Sequence, residues 1–184
     1  MTRTLRVFGL AAALVLPGTL LAQGSSDRSF SLGVSGGLAM PIGDMGDSFD
    51  SGFDVTGHIY LRPAALKSIG LRGDVGFDKF SAKDVSDVTF RSLSFVANAI
   101  VDLSSSSSAK PYLLGGVGLY NGKAEVKSSF GSGSSSDSNL GIQAGGGLQF
   151  QLSGFSTFLE ARYVNVFSDG SSTQWIPITF GVKF

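Results

Sequence analysis

The chain has 184 residues, no cysteine and equal numbers of acidic and basic residues, and charged side chains make up only 15% of it. Without cysteine there is neither a disulfide scaffold nor a thiolate metal site, and without a basic excess there is no electrostatic footprint for nucleic acid. Mean hydropathy is positive, yet no run of 18 apolar residues exists to form a membrane helix, so the apolar content is spread over many short segments.

The chain opens on an export signal. Arg3 and Arg6 precede an apolar run from Val7 to Leu16, followed by Pro17, Gly18 and the small Ala22. These are the three regions of a secretory signal peptide, with cleavage expected after Ala22. Residues 1–22 are assigned to the signal and 23–184 to one domain. Loss of Arg3 and Arg6 leaves that domain with 12 basic and 14 acidic residues, a net of −2.

The domain repeats one pattern. In Ser29–Met40 the residues Phe30, Leu32, Val34, Leu38 and Met40 alternate with Ser31, Gly33, Ser35 and Ala39, the period of two that marks a strand. Pro41 is expected to end it, and 41–52, dense in Gly, Asp and Ser, reads as a long loop. A second strand carries Phe53, Val55, Ile59 and Leu61 on one face and Asp54, Thr56, His58, Tyr60 and Arg62 on the other. The third opposes Ile69, Leu71, Val75 and Phe77 to Arg72, Asp74 and Asp78. After the loop 81–87, the fourth opposes Leu93, Phe95, Ala97, Ala99 and Val101 to Ser92, Ser94, Asn98 and Asp102.

The fifth strand, 111–120, reads two ways: Leu113, Val117 and Leu119 face outward with Gly116 and Gly118 inward, or Tyr112, Leu114 and Tyr120 face outward. The first is favoured. Residues 121–138, mostly Ser and Gly, are expected to be irregular and mobile. The sixth strand has Leu140, Ile142, Leu148 and Phe150 on its apolar face and Gln143, Gln149 and Gln151 on the other. Ser153 and Gly154 suit a tight hairpin turn. The seventh sets Phe155, Thr157, Leu159, Ala161 and Tyr163 against Ser156, Phe158, Glu160 and Arg162, and 168–173 is a loop before the closing strand 174–184. There Ile176, Ile178, Phe180, Val182 and Phe184 share a face.

Eight strands of bilayer-crossing length, an even count and termini on one side predict an all-β fold: an eight-stranded antiparallel up-and-down transmembrane β-barrel. Loops 41–52, 81–87, 121–138 and 168–173 are on average the longer set, as expected for the outer surface. A soluble barrel shares the alternation with its faces reversed. Against it, the polar face carries a nearly balanced set, Asp54, Arg62, Arg72, Asp74, Asp78, Asp102, Glu160, Arg162 and Lys183, suited to pairing inside a cylinder. The apolar face is almost free of charge and carries Phe53, Phe150, Phe155, Tyr163 and Phe184 near strand ends, where interfacial aromatics lie.

The signal peptide, the PIGD opening the first loop, PYLLGGVGLY at 111–120, FLEARY at 158–163 and the terminal GVKF occur in an order that resembles the small outer-membrane β-barrel family of the OmpA and OmpX type. The resemblance implies residence in the outer membrane of a Gram-negative-type bacterium. It also implies contact with outer-membrane lipid and lipopolysaccharide, and insertion by the barrel-assembly machinery through the terminal strand ending at Phe184. Pro177 removes one ladder donor from that strand.

No residue is assigned to catalysis, to a cofactor or to a metal. His58 is read as a hydrogen-bonded interior histidine, because no His-x-Ser pair accompanies it. Asp44, Asp47, Asp50 and Asp54 lack the register of a calcium loop and are read as solvation. Gly145, Gly146 and Gly147 lie inside a strand with no helix following, so they form no phosphate cradle. Arg72 with Asp74 and Glu160 with Arg162 are read as a charge network filling the barrel, and Arg162→Ala is expected to destabilise it. The expected function is non-enzymatic: a structural or surface-recognition role through the outer loops, the first and third above all, in a monomer without nucleic-acid partners. The alternatives are a lipid A-modifying barrel enzyme and a narrow pore.

Overall fold

The computed structural model describes residues 30–63, 68–83, 88–103, 109–128, 131–168 and 170–184; the signal assigned to 1–22 lies outside them. Eight strands, β1 (Phe30–Ile42), β2 (Gly52–Leu61), β3 (Ile69–Ser81), β4 (Val88–Asp102), β5 (Ala109–Ser128), β6 (Gly131–Gln151), β7 (Ser156–Ser168) and β8 (Ser171–Lys183), form a closed barrel in sequence order. All pairings are antiparallel, including β8 with β1. Closure leaves no free edge to pair with another chain.

The register fixes the shape. From Leu32 the cross-strand partners run through Ile59, Gly73, Ala97, Val117, Ile142, Asn165 and Gln174 and return to β1 at Ile42. The circuit advances ten residues, from 32 to 42. For eight strands that stagger corresponds to a tilt of about 40°.

The two faces are those of an inverted protein. Val34, Leu38, Phe95, Val117, Leu140 and Phe180 point outward and are 49–66% exposed, whereas Asp54, His58, Arg72, Asp74, Glu160 and Arg162 point inward and are at most 4% exposed. In water that belt would cost on the order of 25 cal/mol for each Å² of apolar surface, so the stable setting for it is acyl chain. The fifth strand takes the favoured orientation, with Tyr112, Leu114 and Tyr120 buried and Leu113, Val117 and Leu119 outside.

Four expectations are corrected. Pro41 does not end β1, which pairs with β8 as far as Ile42; a proline at a strand end loses only one donor. The loop that follows holds a short helix, α1 (Asp44–Ser48), whose Met45 is buried in the barrel mouth. Residues 121–128 and 131–138 are not irregular: β5 and β6 stay paired from Tyr120↔Asn139 up to Ser128↔Gly131. A two-stranded ribbon above the belt needs backbone hydrogen bonds rather than apolar side chains, so serine and glycine conceal it. Residues 171–173 likewise belong to β8, and β7 continues to Ser168. The expected excess of outer loop length therefore resides in strand extensions.

Other expectations are met. Gly154 has φ +91° in the tight β6–β7 turn, where the Leu152 amide donates to the Phe155 carbonyl at 2.9 Å. The β7–β8 ladder passes from Ala161↔Ile178 to Val164↔Trp175, interrupted where Pro177 supplies no donor.

Inside, large rings lie over glycines on neighbouring strands. Phe158 faces Gly181, Tyr112 faces Gly147, and Tyr120 lies beside Gly141. A Cβ at Gly181 would meet the Phe158 ring well inside contact distance. Gly181→Val is therefore expected to lower stability by about 1–3 kcal/mol through overpacking, read as a lower urea midpoint in lipid vesicles.

Candidate functional site

Side chains of β1 to β7 meet in the middle of the lumen. Glu160 accepts two hydrogen bonds from the Arg72 guanidinium, at 2.6 and 3.0 Å, and one from the Tyr112 hydroxyl at 2.6 Å. Asp74 accepts from Arg72 at 3.0 Å, Asn98 at 2.9 Å and Gln143 at 3.2 Å. Arg162 donates to Asp54 at 3.0 Å and lies 3.5 Å from Glu160. The two arginines thus serve three carboxylates in a site closed to water, where a bidentate guanidinium satisfies a carboxylate better than a point charge does.

The pairs read from sequence, Arg72 with Asp74 and Glu160 with Arg162, are both present. The contact between Arg72 and Glu160 spans 88 positions and depends on the stagger. Arg62 pairs with Asp102 at the lower rim, and the Lys183 ammonium lies 4.5 Å from the Tyr60 ring centre. Asp78 accepts from the Trp175 indole at 3.2 Å.

His58 joins Ser35 and Asp74 in a line. Its Nδ1 donates to Asp74 at 2.8 Å, and in the neutral ring Nε2 accepts from the Ser35 hydroxyl at 2.9 Å. The order matches a nucleophile, base and acid. All three residues are at most 4% exposed, Asp74 is shared with Arg72, Asn98 and Gln143, and none of the three lines the space above or below. The three side chains are sealed inside the barrel and hydrogen-bonded to one another.

Above the network the barrel opens into a vestibule of about 180 Å³. Trp175 and Tyr120 meet edge to face at 5.8 Å on its floor, with Phe80 edge-on to Trp175 at 6.0 Å. Phe90 and Ser92 of β4, Gly122 and Ala124 of β5, and Asp137 and Asn139 of β6 continue the wall. Ser92 is 1% exposed and its hydroxyl has no hydrogen-bond partner. Met45 and Phe49 close one side of the mouth, Phe49 packing on Phe90 at 6.1 Å. Below the network the cavities shrink to about 20 and 10 Å³, the size of single waters.

Sequence reasoning placed the charges inward but missed this vestibule. The signal was available: Tyr120 and Trp175 share inward parity with the charged set. Asp54 lies within the lumen on Arg162, apart from Asp44 and Asp47 on α1. Gly145, Gly146 and Gly147 lie inside β6. Phe184 exchanges backbone hydrogen bonds with Leu32 and is 42% exposed.

No protein-family model matches the sequence, and comparison with curated proteins finds no match. Solved structures do match. Neisserial surface protein A superposes with a TM-score of 0.62 at 19% identity over 84% of this chain and 96% of that one. Ail, the attachment invasion locus protein of Yersinia pestis, crystallised with the heparin analogue sucrose octasulfate, gives 0.53 at 21% over 85% and 99%. The N-terminal β-barrel domain of Pseudomonas aeruginosa OprF gives 0.51 at 13% over 84% and 97%. At these identities the likeness is one of fold. With its apolar belt outside and its charges sealed within, the chain has the fold of the small eight-stranded outer-membrane barrels.

Proposed function

We propose that the protein is a non-enzymatic integral outer-membrane protein that recognises a small surface group in its vestibule, the sealed barrel serving as support. The observation that carries this reading is the aromatic-floored space with an unpartnered buried hydroxyl at its wall, closed beneath by the charge network. At about 180 Å³ the space is smaller than the roughly 300 Å³ of drug-sized pockets, so it suits one ring. Aromatic faces beside Ser92, Asn139 and Asp137 favour a neutral or amino sugar over an anion. Asp44, Asp47 and Asp50 beside the mouth add to that bias. In the same reading, Phe184 at the end of β8 serves the assembly machinery during insertion.

Trp175 is the only tryptophan in the chain and lies on the vestibule floor, so its emission reports entry. Titration of the refolded protein with N-acetylglucosamine and glucosamine is expected to give a saturable change that Ala124→Phe abolishes. An unresponsive Trp175 would remove the recognition reading. The Ser35–His58–Asp74 line is the one observation that favours an enzyme. Mass spectrometry of lipid A from cells producing the protein is expected to show no change in acyl chains, and a gained or lost chain would reverse the assignment.

A further inference from the structure

Among the described strand side chains, charge on the outer wall is confined to one patch. Among described residues of β3, β4 and β5, Lys79, Arg91 and Lys123 share the outward parity of Phe77, Leu93 and Leu119. The register sets Lys79 opposite Arg91, and Arg91 opposite Lys123, so three cations stand in one row across adjacent strands about 4.8 Å apart. Like charges directly opposite destabilise a ladder. One acid relieves them in part: Glu125 lies 3.1 Å from Arg91 and 2.8 Å from Lys123. The row keeps a net excess of two positive charges.

Its height identifies the counter-charge. Immediately below Lys79 and Arg91, Phe77 and Leu93 pair with each other, and Phe77 packs on Phe53 at 6.0 Å between ring centres. This is the upper rim of the apolar belt. Lys79 and Arg91 therefore stand one pleat above the belt, and Lys123 two pleats above Leu119 with Asn121 between them, at the level of lipid headgroups in the outer leaflet. On the other strands this rim is uncharged, with Ile42, Ser136, Ser138, Asn165, Phe167 and Gln174.

We propose that Lys79, Arg91 and Lys123 form a binding site for the phosphate groups of an outer-leaflet lipid, the phosphorylated head of lipid A, held while its acyl chains lie over Phe77 and Leu93. The site is independent of the vestibule, so failure of either leaves the other standing.

The test places refolded protein in phosphatidylcholine nanodiscs doped with bisphosphorylated or dephosphorylated lipid A and counts retained lipid by native mass spectrometry. Wild type is expected to retain the bisphosphorylated form selectively. The variant K79Q/R91Q/K123Q is expected to bind it about 100-fold more weakly while remaining heat-modifiable on gels, as a folded barrel is. Removing the same number of cations at the lower end, in R62Q/K110Q/K183Q, is expected to leave retention unchanged. Equal retention by wild type and K79Q/R91Q/K123Q, no preference for phosphate, or binding of soluble heparin in place of lipid A would each overturn the site.

Discussion

Arg72→Ala is expected to lower the stability of the barrel by about 3–5 kcal/mol, seen as a lower urea midpoint in lipid vesicles. Arg72 is 1% exposed and supplies two hydrogen bonds to Glu160 and one to Asp74. Truncation leaves both carboxylates buried with fewer donors, and the cost lies in that uncompensated charge rather than in the lost contact. Arg72→Lys keeps the charge but loses the fork, so an intermediate loss is expected. Arg72→Met combined with Glu160→Leu is expected to cost less than the two single losses added together, because neither partner is stranded. Arg162→Ala falls in the same direction, with Asp54 losing its guanidinium. An unchanged midpoint for Arg72→Ala would show that the lumen is wet enough to solvate its acids.

Val117→Arg is expected to cost about 2–4 kcal/mol and to slow insertion, the penalty for a cation facing lipid near the midplane. Val117 is 63% exposed and pairs with Ala97 and Ile142 on the outward face of the belt. On a soluble protein so exposed a position would accept arginine with little effect. Ser134→Arg, also exposed but on the ribbon above the belt, is expected to cost less than about 1 kcal/mol. Equal effects at the two positions would mean that both meet the same solvent.

The strands and their facing were legible because a half-lipid, half-lumen strand must alternate at every residue, and eight repetitions outweigh the weakness of each. Tyr112 and Leu114 made β5 ambiguous, since both its faces carry large apolar groups and only its neighbours decide. The upper β5–β6 ribbon was not legible, because Lys123 and Glu125 alternate with Gly122 and Ala124 without any apolar signal. The charged interior could be named residue by residue, whereas the partnership of Arg72 with Glu160 could not: it follows from the stagger of ten, which periodicity does not encode. The Lys79–Arg91–Lys123 row was hidden for the same reason, its members being far apart in sequence and joined only by register.

The apolar face of every strand meets acyl chains, and this can be measured position by position. The chain has no cysteine, so a nitroxide on single cysteines introduced at Leu113, Val117 and Leu119, with Ser134 for comparison, reports one site at a time. In lipid vesicles the three belt positions are expected to collide more often with oxygen than with a water-soluble nickel chelate, and Ser134 the reverse. Nickel-dominated collisions at Leu113, Val117 and Leu119 in a folded protein would place that face in water and contradict the account.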